Sequence, residues 1–338
     1  MNFNRQKYIS KINNFASKGI PFLFVSDFVG ENCIIETLES LDNEAVRFWV
    51  NEKSNFQESK TITKEVELNK YPVSFAQYKM AFDGVQKNIF QGNSFLTNLT
   101  CETPIDLTIG LLEVFERSEA KYKIYLKDKF VCFSPEIFVQ IDQFGKISSF
   151  PMKGTIDAAL PDAENVILND KKEFYEHTTI VDLIRNDLSK VAEKVWVEKF
   201  RYIDRIQTQE GNELLQVSSQ VSGLLSSDWR KKMGNILFEM LPAGSISGAP
   251  KDKTLAIIKA AEKFTYATQS GKSCYNRGFY TGIFGVFDGQ TFDSGVMIRF
   301  IEQTSEGLVF KSGGGITASS IAEKEYQEMI QKIYVPII

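Results

Sequence analysis

Apolar positions along the chain follow two periodicities, and the switches between them mark out its elements. Pro21-Phe-Leu-Phe-Val-Ser26 is a short apolar run that predicts a strand. Ser74 to Gln91 carries apolar residues at helical spacing, with Ser74 placed as an N-cap. From Tyr122 to Ile147 the period drops to two, which predicts an antiparallel meander. Further helices are predicted at Lys171 to Arg185, Asp228 to Met240, Lys251 to Lys263 and Ile321 to Ile333. Strands are predicted at Leu214 to Leu225, Tyr280 to Phe287, Val296 to Glu302 and Leu308 to Ser312, with a polar loop at Asn51 to Lys60 and a Gly/Ser/Pro turn at Pro242 to Pro250. Strands come in runs with helices between the runs, so the expected class is α+β with antiparallel sheets and not a parallel βαβ series. No internal repeat or low-complexity segment is visible.

Composition narrows the chemistry. The 338 residues contain one histidine, His177, so histidine-rich metal sites and two-histidine mechanisms are excluded, and carboxylates and lysines must carry any proton or metal work. A formal charge of −4 without a long basic run argues against nucleic acid as partner. Cys33, Cys101, Cys132 and Cys274 lie far apart without a CxxC pair, and read as free thiols. No apolar run approaches the ~20 residues needed to span a bilayer, so a cytoplasmic protein without membrane contact is expected.

Four features could carry chemistry. Glu173-Phe-Tyr-Glu176 and Glu325-Tyr-Gln-Glu328 each place two carboxylates on one helix face. Singly, each pair is a solvated acidic face; facing each other, the four would suit a hard ion such as Mg²⁺. Gly244-Ser-Ile-Ser-Gly248, Arg277-Gly-Phe-Tyr280-Thr-Gly282 and Gly313-Gly-Gly315 read as turn glycines that could bring backbone amides to an anion, though none is a phosphate loop. Arg299 is either a surface charge or a carboxylate anchor. Lys153, between a strand-like run and a Gly-Thr turn, is a solvated lysine unless its surroundings lower its pKa enough for nucleophilic work.

In this order the segments resemble the chorismate-utilising enzymes, which include anthranilate, aminodeoxychorismate, isochorismate and salicylate synthases. The carrying motifs are Ser134-Pro-Glu136, Pro151-Met-Lys-Gly-Thr155, Glu176-His-Thr-Thr, Leu241-Pro-Ala-Gly-Ser-Ile-Ser-Gly-Ala-Pro-Lys251, Arg277-Gly-Phe-Tyr-Thr-Gly282, Ile298-Arg299, Gly313-Gly-Gly-Ile316 and Glu325-Tyr-Gln-Glu328, covering about residues 74 to 335. The resemblance implies two stacked antiparallel sheets flanked by helices, with residues 1–70 a short N-terminal segment packed on a catalytic core of 71–338. It implies a Mg²⁺ cluster of Glu173, Glu176, Glu325 and Glu328. Substrate contacts are implied for Arg299, Tyr280, Gly313, Gly314, Gly315, Lys332, Thr155 and Ser245.

Lys153 is similar to the lysine of the aminodeoxychorismate synthase branch, where anthranilate synthases carry alanine. This implies Mg²⁺-dependent amination of chorismate at C4, with Lys153 as nucleophile at C2 and Glu136 as acid, on the route to p-aminobenzoate and folate. Without a Gly-x-Cys-x-Gly motif, ammonia would come from solution or from a separate glutamine amidotransferase subunit. The chain departs from the family pattern at Gln216, where a histidine is usual, at Leu96 and at Ile156. Two alternatives stay open: an anthranilate synthase component I, and an inactive relative that only binds chorismate or an amidotransferase.

Overall fold

The structure, a computed structural model, describes residues 3–57, 65–207, 213–266 and 275–337. Among them are two nine-stranded sheets in which every pairing is antiparallel. In the first sheet Glu213–Leu224 pairs with Lys146–Ser149, Met152–Asp157 and the long edge strand Lys194–Gln207; Ile137–Ile141, Phe292–Val296, Ile283–Phe287, Phe22–Ser26 and Cys33–Thr37 continue it. The second runs Gly248–Ala249, Leu96–Leu107, Gly307–Ile316, Phe300–Thr304, Phe130–Ser134, Tyr122–Leu126, Val46–Val50 and Lys53–Ser54, with Leu68–Lys70 also on Leu96–Leu107. The first 70 residues therefore supply strands to both sheets.

Stacking explains the apolar runs. In Phe22–Ser26, Leu23 and Val25 join the layer between the sheets, with Phe48, Ile124, Phe130, Phe284 and Phe300, while Phe22 and Phe24 face outward under Ile9, Ile12 and Phe238 of the covering helices. Both faces are buried, so the strand reads as a continuous hydrophobic run. Val131 and Phe133 likewise point outward, into the cluster under the helix Leu111–Arg117, and Phe130 and Cys132 inward. Burying aromatic and aliphatic side chains in three such layers contributes on the order of 1.5–3 kcal/mol each.

Ser74 caps Phe75–Phe90 as expected, in a reciprocal box with Gln77. Several expectations are corrected. Val296 to Glu302 is not one strand: Phe292–Val296 belongs to the first sheet and Phe300–Thr304 to the second, and the chain crosses between them at 297–299. The glycines at 313–315 lie inside the strand Gly307–Ile316, because a Cβ on Gly313 would come within 2.4 Å of the Leu99 carbonyl oxygen of the neighbouring strand. Tyr280 to Phe287 is a strand only from Ile283, and Leu214 to Leu225 is one 12-residue strand, Glu213–Leu224. The helix Phe3–Ser17 and the strands Leu96–Leu107 and Lys194–Gln207 were not expected; the last is an edge rich in charge, without an apolar face of period two. Part of the loop expected at Asn51 to Lys60 is the strand Lys53–Ser54, and its end lies outside the described residues. Cys33, Cys101 and Cys132 are free thiols, and Cys274 lies outside the described residues. No helix among the described residues is long and apolar enough to cross a membrane.

Candidate active site

A cavity of about 630 Å³ opens between the two sheets, roofed by the helix Lys171–Ser189 on the first and Ala322–Gln331 on the second. All fourteen residues for which the resemblance implies a metal, catalytic or substrate role, from Glu136 to Lys332, line it.

Lys153 enters the cavity from an irregularity. The pairing of Met152–Asp157 with Glu213–Leu224 shifts register between Met152 and Thr155, and Gly154 takes φ +83°, a conformation a side chain would strain. The bulge turns Lys153 toward the next helix, where its Nζ donates to Glu176 Oε2 at 2.8 Å. Burial by itself would push the Lys153 ammonium down, but Glu176, Glu328 and Glu173 outweigh it and hold the pKa above its ordinary value. The neutral amine that nucleophilic work needs is thus not the resting form of Lys153.

Asp170 caps Lys171–Ser189 by accepting from the Glu173 amide at 2.9 Å, which starts the helix so that Glu173 and Glu176 face inward. Glu325 and Glu328 come from the opposite helix, and the carboxylates sense one another across the gap. Burial raises Glu173, and Glu176 raises it further. Burial raises Glu325, with Glu328 and Glu176 adding to the effect against Ser320 and Lys172. Lysines hold the other two acids: Lys153 and Lys172 lie 2.8 and 3.5 Å from Glu176, and Lys332 lies 2.7 Å from Glu328. Burial would raise Glu328, yet Lys332 outweighs it and keeps it below the usual range. Among the described residues no three acidic, histidine or cysteine side chains stand close enough to enclose an ion as they lie. The donor set nevertheless fits one: four carboxylate groups whose repulsion a hard divalent cation would relieve.

Arg299, Tyr280 and the glycines 313–315 complete the lining. Arg299 sits at the crossing between the sheets with φ +54°, a left-handed turn that directs it into the cavity, and its buried Nε has no hydrogen-bond partner among the described residues. Tyr280 is buried beside it. Gly314 faces the acids, a Cβ there lying 3.6 Å from both Glu325 Oε2 and Lys332 Nζ, while Lys332 also donates to the Gly313 carbonyl at 2.9 Å. Glu136 is raised by burial, against which Ser245, Lys332, Arg299 and Lys153 pull it down. Ser245 Oγ donates to Glu136 Oε1 at 2.6 Å.

Thr155 stands opposite Gln216 on the first sheet, and both line the cavity. Ile156 pairs with Leu215, and Leu96 is buried outside the cavity lining, paired to Ala249. His177 is buried, with Nε2 2.6 Å from Ser219 Oγ; burial, then Arg201, push its pKa down to about 4, so the only histidine is a neutral structural group. Sequence reasoning missed Asn98, whose buried Oδ1 has no partner among the described residues, and Lys172. Lys172 could have been found from its place directly before Glu173, four residues ahead of Glu176. Asn98 carried no signal, because the strand that presents it was not expected.

The chorismate binding enzyme family matches residues 22–337. An uncharacterised PabA-like protein of Pasteurella multocida is 49% identical over 98% of each chain. Aminodeoxychorismate synthase component 1 of Bacillus subtilis is 27% identical over 76% of this chain and 54% of its own length. Among solved structures, anthranilate synthase component I of Streptococcus pneumoniae aligns with a TM-score of 0.63 and 26% identity, over 79% of this chain and 58% of that one. The menaquinone-specific isochorismate synthase of Escherichia coli reaches 0.70 at 14% identity, over 97% and 80%, a likeness of fold alone. The chain thus spans somewhat more than half of the aminodeoxychorismate and anthranilate synthases named.

Proposed function

Because the chain belongs to the chorismate binding enzyme family, matched over residues 22–337, we propose that it aminates chorismate at C4 to give 4-amino-4-deoxychorismate. The observation that carries this reading is Lys153, presented by a bulge into the cavity that also contains Glu136. A primary amine is a competent nucleophile and a competent leaving group.

In the proposed sequence the Lys153 ammonium first gives up a proton, and Glu176 Oε2 is the acceptor in hydrogen-bond reach. The Nζ lone pair forms a bond to C2, both conjugated ring double bonds shift by one position (C1=C2 to C1=C6, C5=C6 to C4=C5), and the C4–O bond breaks. Glu136, whose burial favours the protonated carboxyl, gives its proton to the departing oxygen, which leaves as water. Ammonia then bonds to C4, both double bonds shift back, and the C2–N bond breaks with its electron pair returning to Lys153. The proton lost by the new C4 ammonium restores Glu136, and Glu176 returns its proton to Lys153. Chorismate and ammonia are consumed, and aminodeoxychorismate and water result.

Arg299 and Tyr280 would hold the enolpyruvyl carboxylate, aided by the backbone at Gly313 to Gly315. Glu173, Glu176, Glu325 and Glu328 would hold Mg²⁺, which when bound supplies positive charge to the ring carboxylate. A separate glutamine amidotransferase subunit would supply ammonia, and the product would feed p-aminobenzoate and folate formation.

The test is to incubate the protein with chorismate, Mg²⁺ and ammonium, with and without an aminodeoxychorismate lyase. Expected is p-aminobenzoate only when the lyase is present. Anthranilate formed directly would replace this reading with anthranilate synthesis, and no chorismate turnover would leave a binding protein.

A further inference from the structure

Ser245 and Glu136 lie 109 positions apart, yet the serine hydroxyl donates to Glu136 Oε1 at 2.6 Å. The glutamate main chain is already fixed at both ends: its N–H donates to Ser134 Oγ at 3.1 Å, and its carbonyl accepts from the Val296 N–H at 3.0 Å. Side-chain rotation is the freedom that remains, and Ser245 sets it. The serine has rigid support of its own. It sits on the 3₁₀ turn Gly244–Ile246, where Ser247 donates through its hydroxyl to the Ala243 carbonyl at 2.8 Å and through its N–H to that of Gly244 at 3.2 Å. Arg277 Nη1 donates to the Ile246 carbonyl at 2.8 Å, and that guanidinium is locked by the buried carboxylate of Glu262. Gly244 presses the turn against the helix Lys171–Ser189 so closely that a Cβ would lie 1.8 Å from Leu183 Cδ2.

A hydroxyl has one proton to donate. With it donated to Oε1, Ser245 has no second proton for a substrate carboxylate, and Oε2, the poorer acceptor and the oxygen left open, is the favoured place for a proton carried by Glu136. We infer that Ser245 is a positioning residue: it fixes the rotamer of Glu136 and selects Oε2 as the oxygen that delivers the acid proton, instead of contacting substrate as a ligand of its own. The inference rests on the reading of Glu136 as the acid. Lys332, Arg299 and Lys153 are the charged groups that act on this carboxyl, and all three line the same cavity.

The experiment compares wild type, Ser245→Ala, Ser245→Thr and Ser245→Val in the amination assay across pH. Loss of one charge-assisted hydrogen bond corresponds to roughly a ten- to hundred-fold fall in kcat for Ser245→Ala, with KM within about two-fold. The alkaline limb, where Glu136 loses its proton, should move to higher pH, because the hydroxyl no longer favours the carboxylate. Ser245→Thr should restore both rate and profile. If the alanine variant fails to fold, the Thr and Val variants, which differ by a hydroxyl against a methyl, read the same contact. A raised KM with unchanged kcat, or an unchanged kcat and pH profile, overturns the inference. Should wild type not turn over chorismate, the functional reading fails separately. The Glu136 carboxyl titration, followed by ¹³C NMR in wild type and Ser245→Ala, then decides: an upward move on losing the hydroxyl supports the contact, and no change overturns it.

Discussion

Lys153 Nζ and Glu176 Oε2, from a bulged strand and the helix beside it, are joined by a 2.8 Å ion pair in the lining of the cavity between the sheets. Burial acting alone would lower the Lys153 pKa, but the surrounding carboxylates reverse that direction. Any nucleophilic role for Lys153 therefore depends on how the charge of those carboxylates is taken up.

Replacing Lys153 by alanine should lower amination of chorismate by roughly 10²–10⁴-fold or more while leaving the fold intact, because the side chain is long and partly exposed at the cavity. Lyase-coupled p-aminobenzoate formation measures the loss, and circular dichroism checks the fold. Activity close to wild type would remove Lys153 as nucleophile.

Glu325→Gln removes one carboxylate from the cluster facing Glu176. Mg²⁺ affinity, measured by titration calorimetry without chorismate, should weaken by about ten-fold or more. Chelation of divalent cations should abolish turnover by wild type, and addition of Mg²⁺ should restore it. Equal Mg²⁺ binding by the variant would place the ion elsewhere.

Glu262 and Arg277 form a buried pair at 2.6 Å, and Thr100 donates to the same carboxylate through N–H and hydroxyl at 3.1 and 2.6 Å. Arg277→Met leaves Glu262 as an uncompensated buried charge and should cost about 3–5 kcal/mol in urea unfolding. Adding Glu262→Gln to it should recover much of that loss. Additive losses in the double variant would show that the two residues act independently.

The consecutive glycines Gly313 and Gly314 should respond differently to alanine. At Gly313 the new Cβ meets the Leu99 carbonyl oxygen at 2.4 Å, forcing the strand from its partner at a cost of about 1–3 kcal/mol. Gly314→Ala has 3.6 Å of clearance and should keep its stability, but it crowds Glu325 and Lys332 and should lose chorismate affinity. Thermal unfolding and ligand titration separate the two effects.

His177 provides a clean pH signature, being the only histidine. Its folded pKa, about 4, lies below the ordinary 6.5, so between those values the unfolded chain binds the proton more readily. The stabilisation it contributes is full above pH ~6.5 and falls as pH drops toward 4, by up to about 3 kcal/mol. His177→Gln should flatten the stability profile in this window, and the single imidazole NMR signal should titrate near 4; titration near 6.5 would contradict the buried placement.

Local chemistry made part of this molecule legible from the chain alone. The box of Ser74 with Gln77 and the apolar spacing behind it announce the helix Phe75–Phe90, and the i, i+3 glutamates announce which helix faces carry charge. The motif order likewise announced the family that the matched residues 22–337 bear out. Lys194–Gln207 and Leu96–Leu107 escaped because the sheet ladder, not a local period of two, holds them in place, and Asn98 escaped with the latter. The stock of chemistry is a matter of composition and local motifs: one histidine, two glutamate pairs, and a lysine within Pro151-Met-Lys-Gly-Thr155. Folding alone makes Lys153 rest as an ammonium, turns Arg299 inward where the chain passes from one sheet to the other, and brings Ser245 onto Glu136. The reason is physical: protonation and side-chain direction depend on charges and backbone brought together from distant parts of the chain, and those distances exist only after the sheets have stacked.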